Sequence, residues 1–237
     1  MGVISHIGLC HDPRGELVYG EDIRFMREDE SGMWQITNQI NSLLKLLKYH
    51  EIRSFLDIGT FRGYTFLLLD SFLKACNPAC KNLSIDPFPM IDPGLQECFN
   101  LQYRHETSED HQDSVFDLVF IDGDHSYESS KRDFYNVGVR SKICCFHDIN
   151  DDFVKTTYAD GGVPRLWEEL RELYGHEEIT AHPSNLKVMG IGVLYVKEEI
   201  SHCGNNSVLR RKVCDSRHRQ APFPAFHHAG AGIISPE

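Results

Sequence analysis

The chain has 237 residues, 41% of them apolar and 25% charged, the make-up of an ordinary globular protein with room for one sizeable core. Net charge is −11, and because five of the 24 basic side chains but only two of the 35 acidic ones lie beyond position 200, the rest of the chain is more acidic still. That field disfavours nucleic acid as a partner and suits a divalent cation or a cationic cofactor, while no window holds the roughly 20 apolar residues needed to span a membrane.

Residues 1–32 read as a polar, irregular N-terminal segment. Their opening, MGVISHIGLCHDPRG, lacks the basic stretch and long apolar run of a signal peptide. His6 stands where a myristoylation signal starting at Met1-Gly2 favours Ser or Thr. The eight cysteines are therefore read as reduced thiols of a cytoplasmic protein. Cys76 and Cys80 are spaced CxxxC without a second pair, a weak basis for zinc. Cys144 and Cys145 sit in an apolar run, as buried thiols do.

Ile36, Ile40, Leu43, Leu44 and Leu47 recur at helical spacing and predict an amphipathic helix over 33–49. Trp34 and Gln35 would open it, Trp34 as a core residue or as a cover over a site. A strand over 53–58 closes at Gly59, and a helix over 64–76 is stopped by Asn77-Pro78. A short strand over 82–86, a short helix over 93–99 and a third strand over 101–105 follow. The apolar run Leu118 to Ile121 marks a fourth strand, over 116–121, covered on both faces. A helix over 127–137 and a strand over 142–146 come next. Pro164 sits in the first turn of a helix over 164–174, with Val163, Leu166, Trp167, Leu170 and Leu173 on its apolar face. Two late strands, 178–181 and 192–196, are close enough in sequence to pair antiparallel. Strands alternating with helices predict an α/β fold with a doubly wound, mainly parallel sheet, as one domain over 33–200. Residues 201–237, rich in His, Pro, Gly, Ala and Arg and without periodicity, read as a disordered tail.

In such sheets ligands bind beyond the carboxyl ends of the strands, so the polar residues at those ends are the candidates. After the first strand, Gly59-Thr60-Phe61-Arg62-Gly63 lets a ligand approach the backbone. Its GxxxG spacing lacks the tight pyrophosphate turn of dinucleotide sites. Asp57 would meet a cationic amino group or a turn amide. Asp86, closing the second strand, can accept both hydroxyls of a ribose. Thr107-Ser108, after the third, lie where an adenine edge would. The fourth and fifth strands end in Asp122-Gly123-Asp124-His125 and His147-Asp148. Adjacent strand ends lie about 5 Å apart, so Asp122 and Asp148 can share one cation, Mg²⁺ or Ca²⁺ by the hardness of the oxygens, or Mn²⁺. The plainer reading makes Asp122 a helix cap and bonds His147 to a carbonyl. Asp124 is either a supporting carboxylate or part of the turn. Tyr127 packs on the sheet or lines the cofactor. Trp167 is core. The polar loop 150–162 is a lid or an ordinary connection.

FLDIGTFRGYT, SIDPF, FDLVFIDGDHSYE, CCFHDI and GVPRLWEEL together resemble the class I S-adenosylmethionine (SAM)-dependent methyltransferases, and more narrowly methyltransferase family 24. That branch is similar to the catechol-type and macrolide-sugar O-methyltransferases, and the likeness runs over about residues 33–197. It implies a Rossmann-like, seven-stranded methyltransferase fold with a C-terminal antiparallel hairpin. It implies SAM held by Asp57, Gly59, Thr60, Phe61, Gly63, Asp86, Thr107, Ser108 and Asp122. It also implies a divalent metal, magnesium by expectation, on Asp122, His147 and Asp148, with His147 standing where relatives carry a carboxylate or amide. His125 occupies the place of a Lys in catechol-type relatives and a His in macrolide-sugar relatives, which makes it the expected general base. The expected activity is metal-assisted O-methylation of a small hydroxylated substrate, a sugar or natural product. A metal-free active site is the other catalytic reading, and a non-catalytic cofactor- or nucleotide-binding module is the alternative. A homo-oligomer is left open.

Overall fold

The computed structural model describes residues 33–88, 90–182 and 187–197. The expectations for 1–32 and 201–237 lie outside the described residues. Seven strands form a single sheet: β1 (Ser54–Ile58), β2 (Lys81–Ile85), β3 (Tyr103–Arg104), β4 (Leu118–Ile121), β5 (Ile143–His147), β6 (Gly175–Ile179) and β7 (Ile191–Tyr195). Their order is β3-β2-β1-β4-β5-β7-β6. β7 is antiparallel to both β5 and β6, while the other pairings are parallel. The mainly parallel sheet ending in an antiparallel hairpin is thus the expected one.

Side-chain alternation along each strand divides the core into two layers. Phe55, Leu118, Phe120, Ile143 and Cys145 face one side, where they pack with Ile40, Leu43 and Leu47 of α1 (Thr37–Leu47) and Phe66, Leu67 and Leu69 of α2 (Tyr64–Cys76). Leu56, Val119, Ile121, Cys144 and Phe146 face the other. They meet Phe134 of α4 (Tyr127–Asn136) and Trp167 of α6 (Gly162–Arg171). Both faces are covered, which is why β4 reads as an unbroken apolar run. Each fully buried side chain of this size contributes roughly 1.5–3 kcal/mol. Trp167 is core as expected, and its indole N–H donates to Glu178 Oε1 at 2.7 Å.

Register sets the site. Ile58 pairs with Ile85 on one side and Ile121 on the other, and Ile121 pairs with Phe146. The strand tips are therefore level, and the residue after β4, Asp122, arrives beside His147 at the end of β5. The strands are parallel here, but the order in which the chain adds them runs outward in opposite senses from β1 and from β4, and a crevice opens at that switch point.

Departures from expectation have local causes. The first helix begins at Thr37 because Ile36 is extended and Met33, Gln35 and Ile36 are buried. β6 starts earlier than periodicity suggests, at Gly175, and is largely exposed. As an edge strand it carries His176, Glu177 and Glu178, charges that deter pairing with another chain and erase apolar alternation. The 150–162 loop contains a short helix, α5 (Asp152–Thr157). The Asp151 carboxylate caps it, accepting from the N–H groups of Phe153 and Val154, and its other oxygen accepts from Met189 N–H at 2.8 Å. α3 (Pro93–Phe99) is capped in the same manner by Asp92. Among the described cysteines all are free, and burial pushes the Cys144 and Cys145 thiols up. No helix among the described residues is long and apolar enough to cross a membrane.

Candidate active site

A cavity of about 540 Å³ opens at the level strand tips, within the size range of small-molecule and cofactor sites. One end is the turn after β1. Gly59 (φ +99°) brings this turn against the start of the β4 turn: a Cβ there would sit 2.2 Å from the Asp122 carbonyl oxygen. Phe61 also has positive φ, and its N–H donates to Asp86 Oδ2 at 3.0 Å, while Phe88 N–H donates to Asp86 Oδ1 at 2.8 Å. Asp86 thus ties the β1 and β2 turns together and still faces the cavity. Thr60, Gly63, Thr107, Ser108 and Asp122 also line it.

Asp57 is placed differently. It is buried beneath the turn and is not among the lining residues. Burial pushes its carboxyl well up, against the Ser84 hydroxyl that donates to it at 2.6 Å. Ser84 Oγ lies 2.5 Å from Thr60 Oγ1, so Asp57 supports a lining residue from below.

In the same cavity wall Asp122, His125, His147 and Asp148 converge. His125 Nδ1 lies 2.5 Å from Asp148 Oδ2. His147 Nδ1 lies 3.0 Å from Asp122 Oδ1 and 3.2 Å from Asp148 Oδ1. These contacts are short but off the line a hydrogen bond needs, and neither buried ring nitrogen of His147 has a hydrogen-bond partner. The potential ligand atoms of Asp122, His125 and Asp148 all lie within 4.8 Å of one another. His125 therefore joins the group that expectation had assigned to Asp122, His147 and Asp148. Asp148 holds a positive φ of 61°, a conformation Asp tolerates better than most residues.

The electrostatics follow from this crowding. Burial works against the Asp148 carboxylate, but the His147 and His125 imidazoles outweigh it and hold its pKa well below the usual range. Burial likewise opposes charge on both imidazoles. For His147, Asp122 and Asp148 win and raise its pKa well above the ordinary value; for His125, Asp148 does most of the raising.

The base candidate is also held through its backbone. Val163 N–H donates to the His125 carbonyl at 3.0 Å, and a Cβ at Gly162 (φ +58°) would lie 2.8 Å from that oxygen. Asp124 is occupied with the first turn of α4, accepting from Ser126 N–H and the Ser129 hydroxyl, which is the turn role. Tyr127 is buried and donates to Glu169 Oε2 at 2.7 Å, away from the cavity lining. Trp34 lines the cavity.

Two contributions escaped sequence reading. Gln35 Nε2 donates to Asp122 Oδ2 at 3.1 Å, across 87 residues of sequence, so no local motif marks it. Asp133 lines the cavity with its carboxyl pushed up to about 6 by burial, and accepts from the Ser108 hydroxyl at 2.6 Å. Its signal was present: it sits on the buried stripe of α4 with Tyr127, Ser130 and Phe134.

Residues 56–143 match the model of methyltransferase family 24, described as a methyltransferase domain. That match spans 88 of the chain's 237 residues. Solved structures share this methyltransferase fold. An O-methyltransferase from Bacillus cereus in complex with SAH is 16% identical, with TM-score 0.52, covering 67% of this chain and 81% of its own. TomG from Streptomyces achromogenes, an O-methyltransferase involved in tomaymycin synthesis and solved with SAM, is 15% identical (TM-score 0.53; 83% and 91% covered). The SAH-bound methyltransferase PaMTH1 of Podospora anserina is 14% identical (TM-score 0.51; 83% and 88%). At these identities the likeness is one of fold. No curated protein matches the chain in sequence. The methyltransferase resemblance read from the motifs therefore holds, and the domain's level strand tips carry the residues those motifs named.

Proposed function

We propose that the protein is a SAM-dependent O-methyltransferase acting on a hydroxyl of a small molecule, a sugar or natural product, with a divalent cation at the acceptor end. The observation that carries this reading is the His125–Asp148 pair, 2.5 Å apart, in the wall of the same cavity as the glycine turn. A binding module has no use for a half-buried imidazole paired with a buried carboxylate in the wall of its ligand space.

When bound, SAM supplies a methyl group activated on a sulfonium, and a divalent cation supplies a Lewis acid that acidifies the acceptor hydroxyl. The turn from Gly59 to Gly63 suits the cofactor's close approach, Asp86 the ribose hydroxyls, and Ser108 with Thr107 the adenine edge. Asp122 and Asp148 suit the cation, with His147 beside them. His125 takes the acceptor's proton at Nε2, because Nδ1 faces Asp148. Removing that proton would free the acceptor oxygen for the methyl group the cofactor would supply, with the neutral thioether left behind. Trp34 and the cavity walls exclude water, and alignment of the reacting atoms provides much of the acceleration.

The test is methyl transfer from SAM to a panel of hydroxylated acceptors, before and after chelation, with binding of the demethylated cofactor measured in parallel. Cofactor binding without turnover on any acceptor would return the protein to the binding-module reading. The backbone clamp gives a finer expectation. Gly162→Ala should push the His125 carbonyl aside and lower kcat by up to about 100-fold, the cost of misplacing a catalytic group by an ångström. Cofactor affinity should stay unchanged, as steady-state kinetics beside calorimetry will show.

A further inference from the structure

We propose that the ion held at the acceptor end is a borderline transition metal, with an imidazole nitrogen of His147 as a ligand beside the Asp122 and Asp148 carboxylates, and that the site selects against Mg²⁺. This rests on the reading of that end as a metal site and names the ion's chemistry.

The argument begins with an orphan. His147 is 3% exposed, lines the cavity, and has no hydrogen-bond partner on either ring nitrogen. A buried polar group left this way costs on the order of 1–3 kcal/mol, and such a group needs an explanation. Its Nδ1 is not isolated, for it sits 3.0 Å from Asp122 Oδ1 and 3.2 Å from Asp148 Oδ1. Atoms at hydrogen-bond separation but without hydrogen-bond alignment are what neighbouring ligands of one ion look like. Ligands about 2.1 Å from an octahedral ion stand roughly 3 Å apart along each edge. The second carboxylate oxygens are engaged elsewhere: Asp122 Oδ2 accepts from Gln35 and Asp148 Oδ2 faces His125. Oδ1 of each acid is thus directed to the same place as the His147 nitrogen, and neighbouring groups fix both carboxylate orientations.

Ligand type then decides the ion. Mg²⁺ demands oxygen and keeps several waters. Imidazole favours iron, cobalt, nickel, copper and zinc, and mixed nitrogen–carboxylate sets bind them in the order of increasing affinity from manganese to copper. Substituting a nitrogen for an oxygen at the β5 tip therefore shifts the balance away from magnesium. His125 stays available as base, since its Nδ1 is paired with Asp148 and its other nitrogen is left for the acceptor.

The experiment uses the full chain, stripped with chelator and labelled with ¹⁵N-histidine. Mn²⁺ binding is followed by electron paramagnetic resonance, with calorimetry for Mg²⁺, Mn²⁺ and Co²⁺, and cofactor binding is measured on the same samples. Bound Mn²⁺ is expected to show coupling to a histidine nitrogen. The coupling should vanish in His147→Ala, persist in His125→Ala, and Mn²⁺ affinity should fall about 10- to 100-fold in the former. In His147→Asp, which puts a hard carboxylate oxygen in place of the nitrogen, the Co²⁺-to-Mg²⁺ affinity ratio should drop by about tenfold. Absence of nitrogen coupling, its survival in His147→Ala, or an unchanged ratio in His147→Asp would overturn the proposal, and the aspartate variant decides the matter if the alanine one fails to fold. Loss of cofactor binding in every sample would instead count against the methyltransferase activity, leaving the metal result standing.

Discussion

Replacing His125 by alanine is expected to lower methyl transfer by about 100- to 10,000-fold, the usual contribution of a positioned general base. Affinity for the demethylated cofactor should be nearly unchanged, because the glycine turn and Asp86 make no contact through the His125 side chain, whose partner is Asp148. The pH dependence carries the sign of the pairing. Burial alone would lower the His125 pKa, but Asp148 raises it above the ordinary value of 6.5. A base works only when deprotonated, so the rate should fall, along the acid limb of the profile, as pH drops through the His125 pKa, which Asp148 draws upward and a cation bound beside it draws downward. In Asp148→Asn the raising partner is lost, and the limb should move to lower pH while the maximal rate declines. A limb that stays in place in Asp148→Asn would dissolve the pair, and an unimpaired His125→Ala enzyme would remove the base.

The second large effect concerns Gly59. A methyl added there meets backbone, not a yielding side chain: the Asp122 carbonyl oxygen at 2.2 Å, its carbon at 2.5 Å and Gly123 Cα at 2.6 Å. Gly59→Ala is expected to cost about 1–3 kcal/mol in overpacking and a further ~1–2 kcal/mol for holding alanine at φ +99°. For a domain of this size that lowers Tm by on the order of 10 °C. Cofactor binding should weaken along with stability, since the same collision separates the β1 and β4 turns. Thermal unfolding beside calorimetry checks both, and a variant with unchanged Tm would show that the two turns can part freely.

Much of the scaffold was legible because periodicity and strand coverage are local signals. The all-apolar β4 announced a strand buried on both faces, and the acids and imidazoles after it announced where ligands gather. What escaped was non-local or unpatterned. β6 is an exposed edge, so its charges carried no alternation to read. Gln35 reaches Asp122 from before the first helix, a contact that exists only once α1 is packed. Asp57 looked like a ligand because it stands at a strand end, but its side chain turns inward to Ser84, and only the strand's facing decides that. The ends of β4 and β5 were half legible: adjacent strand tips named Asp122 and Asp148 and the resemblance added His147, yet only register put His125 within reach of the same carboxylates.

The left-handed backbone at Asp148 narrows what descent can do with this position. Few residue types sit comfortably at φ +61°, chiefly glycine, asparagine and aspartate. Aspartate orients the imidazole, asparagine preserves the bend without the charge, and glycine preserves the bend alone. A lineage drifting here would thus shed catalysis before it shed its shape, leaving a well-folded pocket that recognises the donor and does nothing with it.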